Sequence, residues 1–149
     1  MNDFNLSFSD LLLLRKANLA RIPLFKNANG EAAHSSDDGS DWSIDDWFMA
    51  TLGEIGEYAN FEKKILRKDF KASMLRNDLA KELADVLTYF DIFTYHIGYK
   101  FDIYSSLEDK NVYFHDLVTN SISAGFKGFI NNKPTSTLLF ELTKALVEI

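Results

Sequence analysis

The sequence predicts an all-α fold, a bundle of helices in one domain of 149 residues. Three observations predict it. Apolar residues recur at spacings of three and four along much of the chain. Proline (2) and glycine (7) are few, which favours long uninterrupted helices over many short strands. Among the long segments, 26–41 has the clearest loop composition. A chain of this size buries roughly 70% of its unfolded surface, and 46% hydrophobic with 26% charged residues is ordinary globular usage.

The elements follow in order. A first helix is expected over residues 10–21, capped by Ser9 and ended by Pro23, with Leu11, Leu14, Asn18 and Arg21 on one side. Residues 26–41 read KNANGEAAHSSDDGSD, with Asn29-Gly30 and Asp38-Gly39 as turn signals. A solvated connector is the expected role, with a flap or an ordered functional loop as the other. Ser43 and Asp46 then form a near capping box with Asp in place of Glu. They open a second helix over 44–67, carried by Ile44, Trp47, Phe48, Leu52, Ile55, Tyr58, Ala59, Ile65 and Leu66. Residues 68–77 read as a polar connection. The third helix begins near Asp78, repeats through Leu79, Leu83, Val86, Leu87, Phe90 and Ile97, and stops at Gly98. Asp102 caps a fourth helix that runs through Lys110, and weaker helices are expected over 115–130 and 136–147. The extension 115–149 carries Phe126, Phe129, Leu138, Leu139, Phe140, Leu142 and Leu146, which need burial and suit an oligomer interface.

Composition also excludes. With no cysteine, disulfide frameworks, thiolate metal sites and Cys nucleophiles are out. The longest aliphatic run, 11–14, is far short of the ~20 residues of a membrane span. The opening Met1-Asn2-Asp3-Phe4 has no basic region, so no signal peptide and a cytoplasmic location are expected. The net charge of -6 argues against a nucleic-acid polymer as partner, although bound cations can bring a polyanion to an acidic surface locally.

The polar residues of the second and third helices point to chemistry. Glu54 and Glu57 are three apart, as are Glu82 and Asp85, so each pair sits side by side on a helix surface at the border of the apolar stripe. If the helices pack together, four carboxylates converge and require a compensating charge. Hard divalent cations with oxygen ligands, Mg²⁺ first, supply it. Gly53 and Gly56 each cost about 1 kcal/mol in a helix interior. Their presence beside the glutamates suggests close approach by a partner helix or a ligand. Asn60, Lys63, Lys64 and Arg67 follow within three turns, and cations beyond metal-holding carboxylates suit a phosphorylated ligand. The bland alternatives are solvated carboxylates and last-turn cations favoured by the helix dipole.

The run DWSIDDWFMATLGEIGEYANFEKKILR, then ELADVLTYFDIFTYHIGYKFDI after 24 intervening residues from Glu57, resembles the MazG-like branch of the all-α nucleoside triphosphate pyrophosphohydrolases. The family pattern E-x-x-E, spacer, E-x-x-D is filled by Glu54, Glu57, Glu82 and Asp85, flanked by Gly53, Gly56, Asn60, Lys63, Leu83 and Ala84. Lys110 matches the family's later lysine, while Val112 stands where an asparagine is usual. The resemblance covers residues 42–110, and the Trp-Ser-x-x-Asp-Trp lead-in is most similar to small stand-alone, phage-like members. It implies a helical bundle that forms a homodimer or homotetramer. It also implies Mg²⁺-dependent cleavage of a nucleoside triphosphate between the α and β phosphates, with Mn²⁺ as a substitute ion. Glu54, Glu57, Glu82 and Asp85 would hold metal, and Glu54 or Glu57 would accept the water proton. Asn60, Lys63, Lys64, Arg67 and Lys110 would neutralise the polyphosphate. Likeness to the phage-like members implies a purine dNTP, dGTP or dATP, as substrate. The rivals are a dUTP or dCTP pyrophosphatase of the same fold and a non-catalytic helical binding module.

Other residues carry two readings. Trp42 and Trp47 could stack on a base, with core packing as the alternative. Asn18 and Arg21 are expected at the surface, or else reaching a base. His96 is expected to pack at or cap the third helix's end. Glu31-x-x-His34 is not expected to be half of a di-iron site, because it lies in the loop and has no second copy. Asp37, Asp38 and Asp41 lack the offsets of a calcium loop.

Overall fold

The computed structural model describes residues 8–98. They form three helices: α1 (Phe8–Arg21), α2 (Ile44–Leu66) and α3 (Arg76–His96), with short 3₁₀ turns at Ile22–Leu24 and Ala72–Met74. Helix dominates, and among the described residues the extended pairing is an isolated bridge between Lys26 and Ala32. The expected fourth helix, the tail helices, the extension 115–149 and Lys110 lie outside the described residues.

Local chemistry sets the ends of α2. The Ser43 hydroxyl accepts from the Asp46 amide, and the Asp46 carboxylate accepts from the Ser43 amide at 2.9 Å, a complete capping box. At the other end Asp69 N–H donates to Lys64 O and Lys68 N–H to Ile65 O, a Schellman closure. Lys68 holds the left-handed position (φ 64) that glycine usually fills. After α3 that position is Gly98, with φ 85, as expected.

Two starts differ from expectation. Helix α1 is already formed at Phe8, the first described residue, so Ser9 lies within the helix and is not its cap. Helix α3 begins at Arg76, which places Asp78 inside the first turn. A carboxylate there meets the positive end of the helix dipole, a gain close to that of capping. Small competing local preferences of this kind leave a helix start free to shift by a residue or two.

Helix α3 is the central element. Trp47 near the start of α2 stacks on His96 at the end of α3, and Phe48 meets Phe93, so α2 and α3 run antiparallel. Helix α1 crosses α3 through Arg15, Asn18 and Arg21, which reach Asp91, Thr94 and Thr88. Flanked by both, α3 buries Leu83, Val86, Leu87, Phe90, Ile92 and Phe93, and these join Leu11, Ile22, Trp47 and Tyr58 in one core. Asp91 is fully buried within it and takes Arg15 Nε at 2.8 Å and Asn18 Nδ2 at 3.0 Å. Burial raises the Asp91 carboxyl, and the Arg15 charge opposes that rise. Asn18 is therefore a core residue and not a surface one, because a buried carboxylate needs donors. Arg21 is exposed and leans toward Thr88.

Candidate functional site

The antiparallel pairing of α2 and α3 sets Glu54 opposite the Glu82–Asp85 pair. One carboxylate oxygen from each of Glu54, Glu82 and Asp85 lies within 4.8 Å of the others. Glu82 is 5% exposed, and its Oε2 is buried without a hydrogen-bond partner. Its Oε1 takes Lys81 Nζ at 3.4 Å, and Asp85 Oδ2 lies 3.9 Å from the same nitrogen. Glu57 is exposed and outside the three-carboxylate cluster. Four expected ligands thus resolve into three converging groups and one neighbour.

The electrostatics follow from this crowding. Burial, with Asp85, Glu57 and Glu82 adding repulsion, pushes the Glu54 carboxyl up to about 7. Burial also raises Asp85; Lys81 and Arg21 oppose the rise while Glu82 adds to it. Tyr89 shares this environment, since burial and the Glu54 and Asp85 charges raise its phenol. A buried carboxylate oxygen with no partner is expensive. A hard cation would satisfy it, and an oxygen-only donor set fits Mg²⁺ or Mn²⁺.

Along the same helix Gly53, Gly56, Glu57, Ala59, Asn60 and Lys63 line an open groove of ≈ 420 Å³. A Cβ at Gly53 or Gly56 would meet nothing within 4 Å. The expected close approach of a partner helix is therefore not made among the described residues, and the bare backbone faces the groove. The basic residues divide. Lys63 lines the groove, but Lys64 lies over the Phe61 ring at 4.6 Å and Arg67 binds Asp69 at 2.7 Å. Arg67 stands at the C-terminal cap of α2, exposed beside Asp69 and not among the residues lining the groove.

The tryptophans lie elsewhere. Trp47 is fully buried, stacked between His34 (5.1 Å) and His96 (5.2 Å), with its Nε1 donating to Gly39 O at 3.1 Å. Both faces are covered, so packing and not base stacking is its role here. Trp42 is half-buried against the His34 edge at 4.6 Å and against Trp47 at 4.9 Å.

The 26–41 segment is more than a solvated connector. Asp41 accepts from the Ser35 amide and the Ser36 hydroxyl and sits 3.2 Å from His34 Nδ1. These bonds, the Ser35 amide first, hold the Asp41 carboxyl well below the usual carboxylate range. Gly39, at φ 74, presses so closely that an added Cβ would lie 2.6 Å from Trp47 Cζ2. Glu31 accepts from Asn27 while His34 turns to Asp41, so the Glu31-x-x-His34 pair does not converge.

Sequence reasoning missed Lys81, Tyr89 and the Arg15–Asp91 pair. A lysine one residue before Glu82 carries no spacing signal, and the other contacts are made between distant elements. Comparison with protein families, characterised proteins and solved structures finds no match to this chain.

Proposed function

We propose that the chain is a Mg²⁺-dependent nucleoside triphosphate pyrophosphohydrolase, releasing a nucleoside monophosphate and pyrophosphate, with a purine dNTP as the first candidate substrate. The observation that carries this reading is the convergence of Glu54, Glu82 and Asp85 around a buried, unpartnered Glu82 Oε2. The acidic spacing and its flanks, which resemble the MazG-like enzymes, add the reaction class.

Under this reading Glu54, Glu82 and Asp85 hold the metal. When bound, Mg²⁺ would supply positive charge for the phosphates and acidify a bound water. Glu57, exposed and outside the cluster, is the carboxylate left free to take the water proton. Asn60 and Lys63 line the groove beside it and offer an amide and an ammonium to the phosphates. The glycine-bare face lets a polyphosphate approach the α2 backbone. A homodimer or homotetramer would cover the exposed apolar side chains of α2, among them Met49 and Leu52.

The test is hydrolysis of the common NTPs and dNTPs with and without Mg²⁺, resolving pyrophosphate from phosphate. Pyrophosphate formed only with metal, and lost in Glu57→Ala and Asp85→Ala variants that still fold, supports the reading. No hydrolysis, single-phosphate release or wild-type turnover in both variants overturns it. Base preference within the panel separates a purine enzyme from a dUTP or dCTP pyrophosphatase.

A further inference from the structure

The acidic cluster carries its own cation. Lys81 Nζ lies 3.4 Å from Glu82 Oε1 and 3.9 Å from Asp85 Oδ2, and its charge also acts on Glu54. One ammonium therefore contacts two of the three carboxylates that a divalent ion would use and acts on the third through its charge alone. The match is partial. The Lys81 side chain is 72% exposed, and Glu82 Oε2 stays buried without a partner. An exposed lysine gains little from such a pair. A doubly charged ion at the same distance is attracted twice as strongly.

We propose that Lys81 is the resident counter-ion of the Glu54–Glu82–Asp85 cluster and that a divalent cation binds there by displacing its ammonium group. This rests on the metal reading of the cluster given above. Lys81 then lowers metal affinity instead of supporting it. Tethered to α3 beside Glu82, the displaced ammonium stays near the ion and continues to repel it. Unit and double charges about 6 Å apart in a water-like dielectric, with and without physiological salt, correspond to roughly three- to tenfold in affinity.

The experiment is Mn²⁺ binding to the full chain, read from the free-ion electron paramagnetic resonance signal, for wild type, Lys81→Gln and Lys81→Arg. Circular dichroism and thermal melting check that each variant is folded. Lys81→Gln should bind Mn²⁺ three- to tenfold more tightly than wild type. Lys81→Arg, which keeps the charge, should stay within about twofold of wild type. Equal or weaker binding by Lys81→Gln overturns the proposal and leaves the metal site standing, as does Lys81→Arg binding as tightly as Lys81→Gln. No Mn²⁺ binding by either wild type or Lys81→Gln overturns the metal reading itself, and displacement with it.

Discussion

Replacing Glu54 by Gln should stabilise the metal-free protein near neutral pH and do nothing in acid. Folding moves this carboxyl from an ordinary 4.5 to about 7, chiefly through burial and then through its acidic neighbours. The folded chain thus holds the proton more tightly than the unfolded chain. Below pH 4.5 both states are protonated and Glu54 is neutral in its effect. As pH rises from 4.5 through about 7 the unfolded chain gives up this proton while the folded chain still holds it, so stability falls across that window. Each tenfold in proton affinity is worth about 1.4 kcal/mol, which sets a ceiling near 3 kcal/mol. Glu54 is only partly buried, and solvent screening reduces the effect to about 1 kcal/mol. Glutamine keeps the shape and removes the charge. Urea unfolding in EDTA should give equal stabilities near pH 4 and a gain of about 1 kcal/mol for Glu54→Gln near pH 8. That gain is about 2–4 °C in melting temperature for a chain of this length. Saturating Mg²⁺ should reverse the order, because an ion that binds the folded state stabilises wild type by mass action. A variant no more stable than wild type near pH 8, or equally favoured near pH 4, would refute the electrostatic account.

Other perturbations have equally definite outcomes. Asp91→Ala strands Arg15 and Asn18 in the core and should cost about 3–5 kcal/mol in urea unfolding; a loss under about 1 kcal/mol would sink the buried-pair account. Gly39→Ala drives a methyl into Trp47 at a positive φ and should cost at least about 2 kcal/mol. Gly30→Ala shares the positive φ but meets open space, so about 1 kcal/mol is expected; equal costs would refute the packing argument. Gly53→Ala and Gly56→Ala, both in open space within α2, should each stabilise by up to about 1 kcal/mol while hydrolysis falls. Unimpaired turnover in the double variant would remove the groove from the site. Lys68→Gly should gain about 1 kcal/mol by relieving its left-handed backbone, as a melting curve will show.

Helix α2 shows how much was legible beforehand. Its expected span of 44–67 and observed span of Ile44–Leu66 agree because its boundary chemistry is local: a Ser43–Asp46 box at one end and a closing turn at the other. Gly98 ends α3 for the same kind of reason. The acidic site was half legible. Spacing put Glu54 beside Glu57 and Glu82 beside Asp85, since residues three apart share a helix surface. Spacing does not say how far each helix is rotated about its own axis, and that rotation placed Glu54 in the cluster and Glu57 outside it.

By itself, then, the sequence determined the helical class, the extent of the second and third helices to within two residues, and the side-by-side carboxylates. All of these arise from contacts within a few residues along the chain. Only the tertiary structure decided that Asn18 is a core donor to an aspartate 73 residues away. The same holds for Trp47, enclosed by two histidines, and for Lys81 as the cation at the cluster. Those outcomes depend on how three helices pack about α3, where a buried charge must find partners wherever the fold brings them.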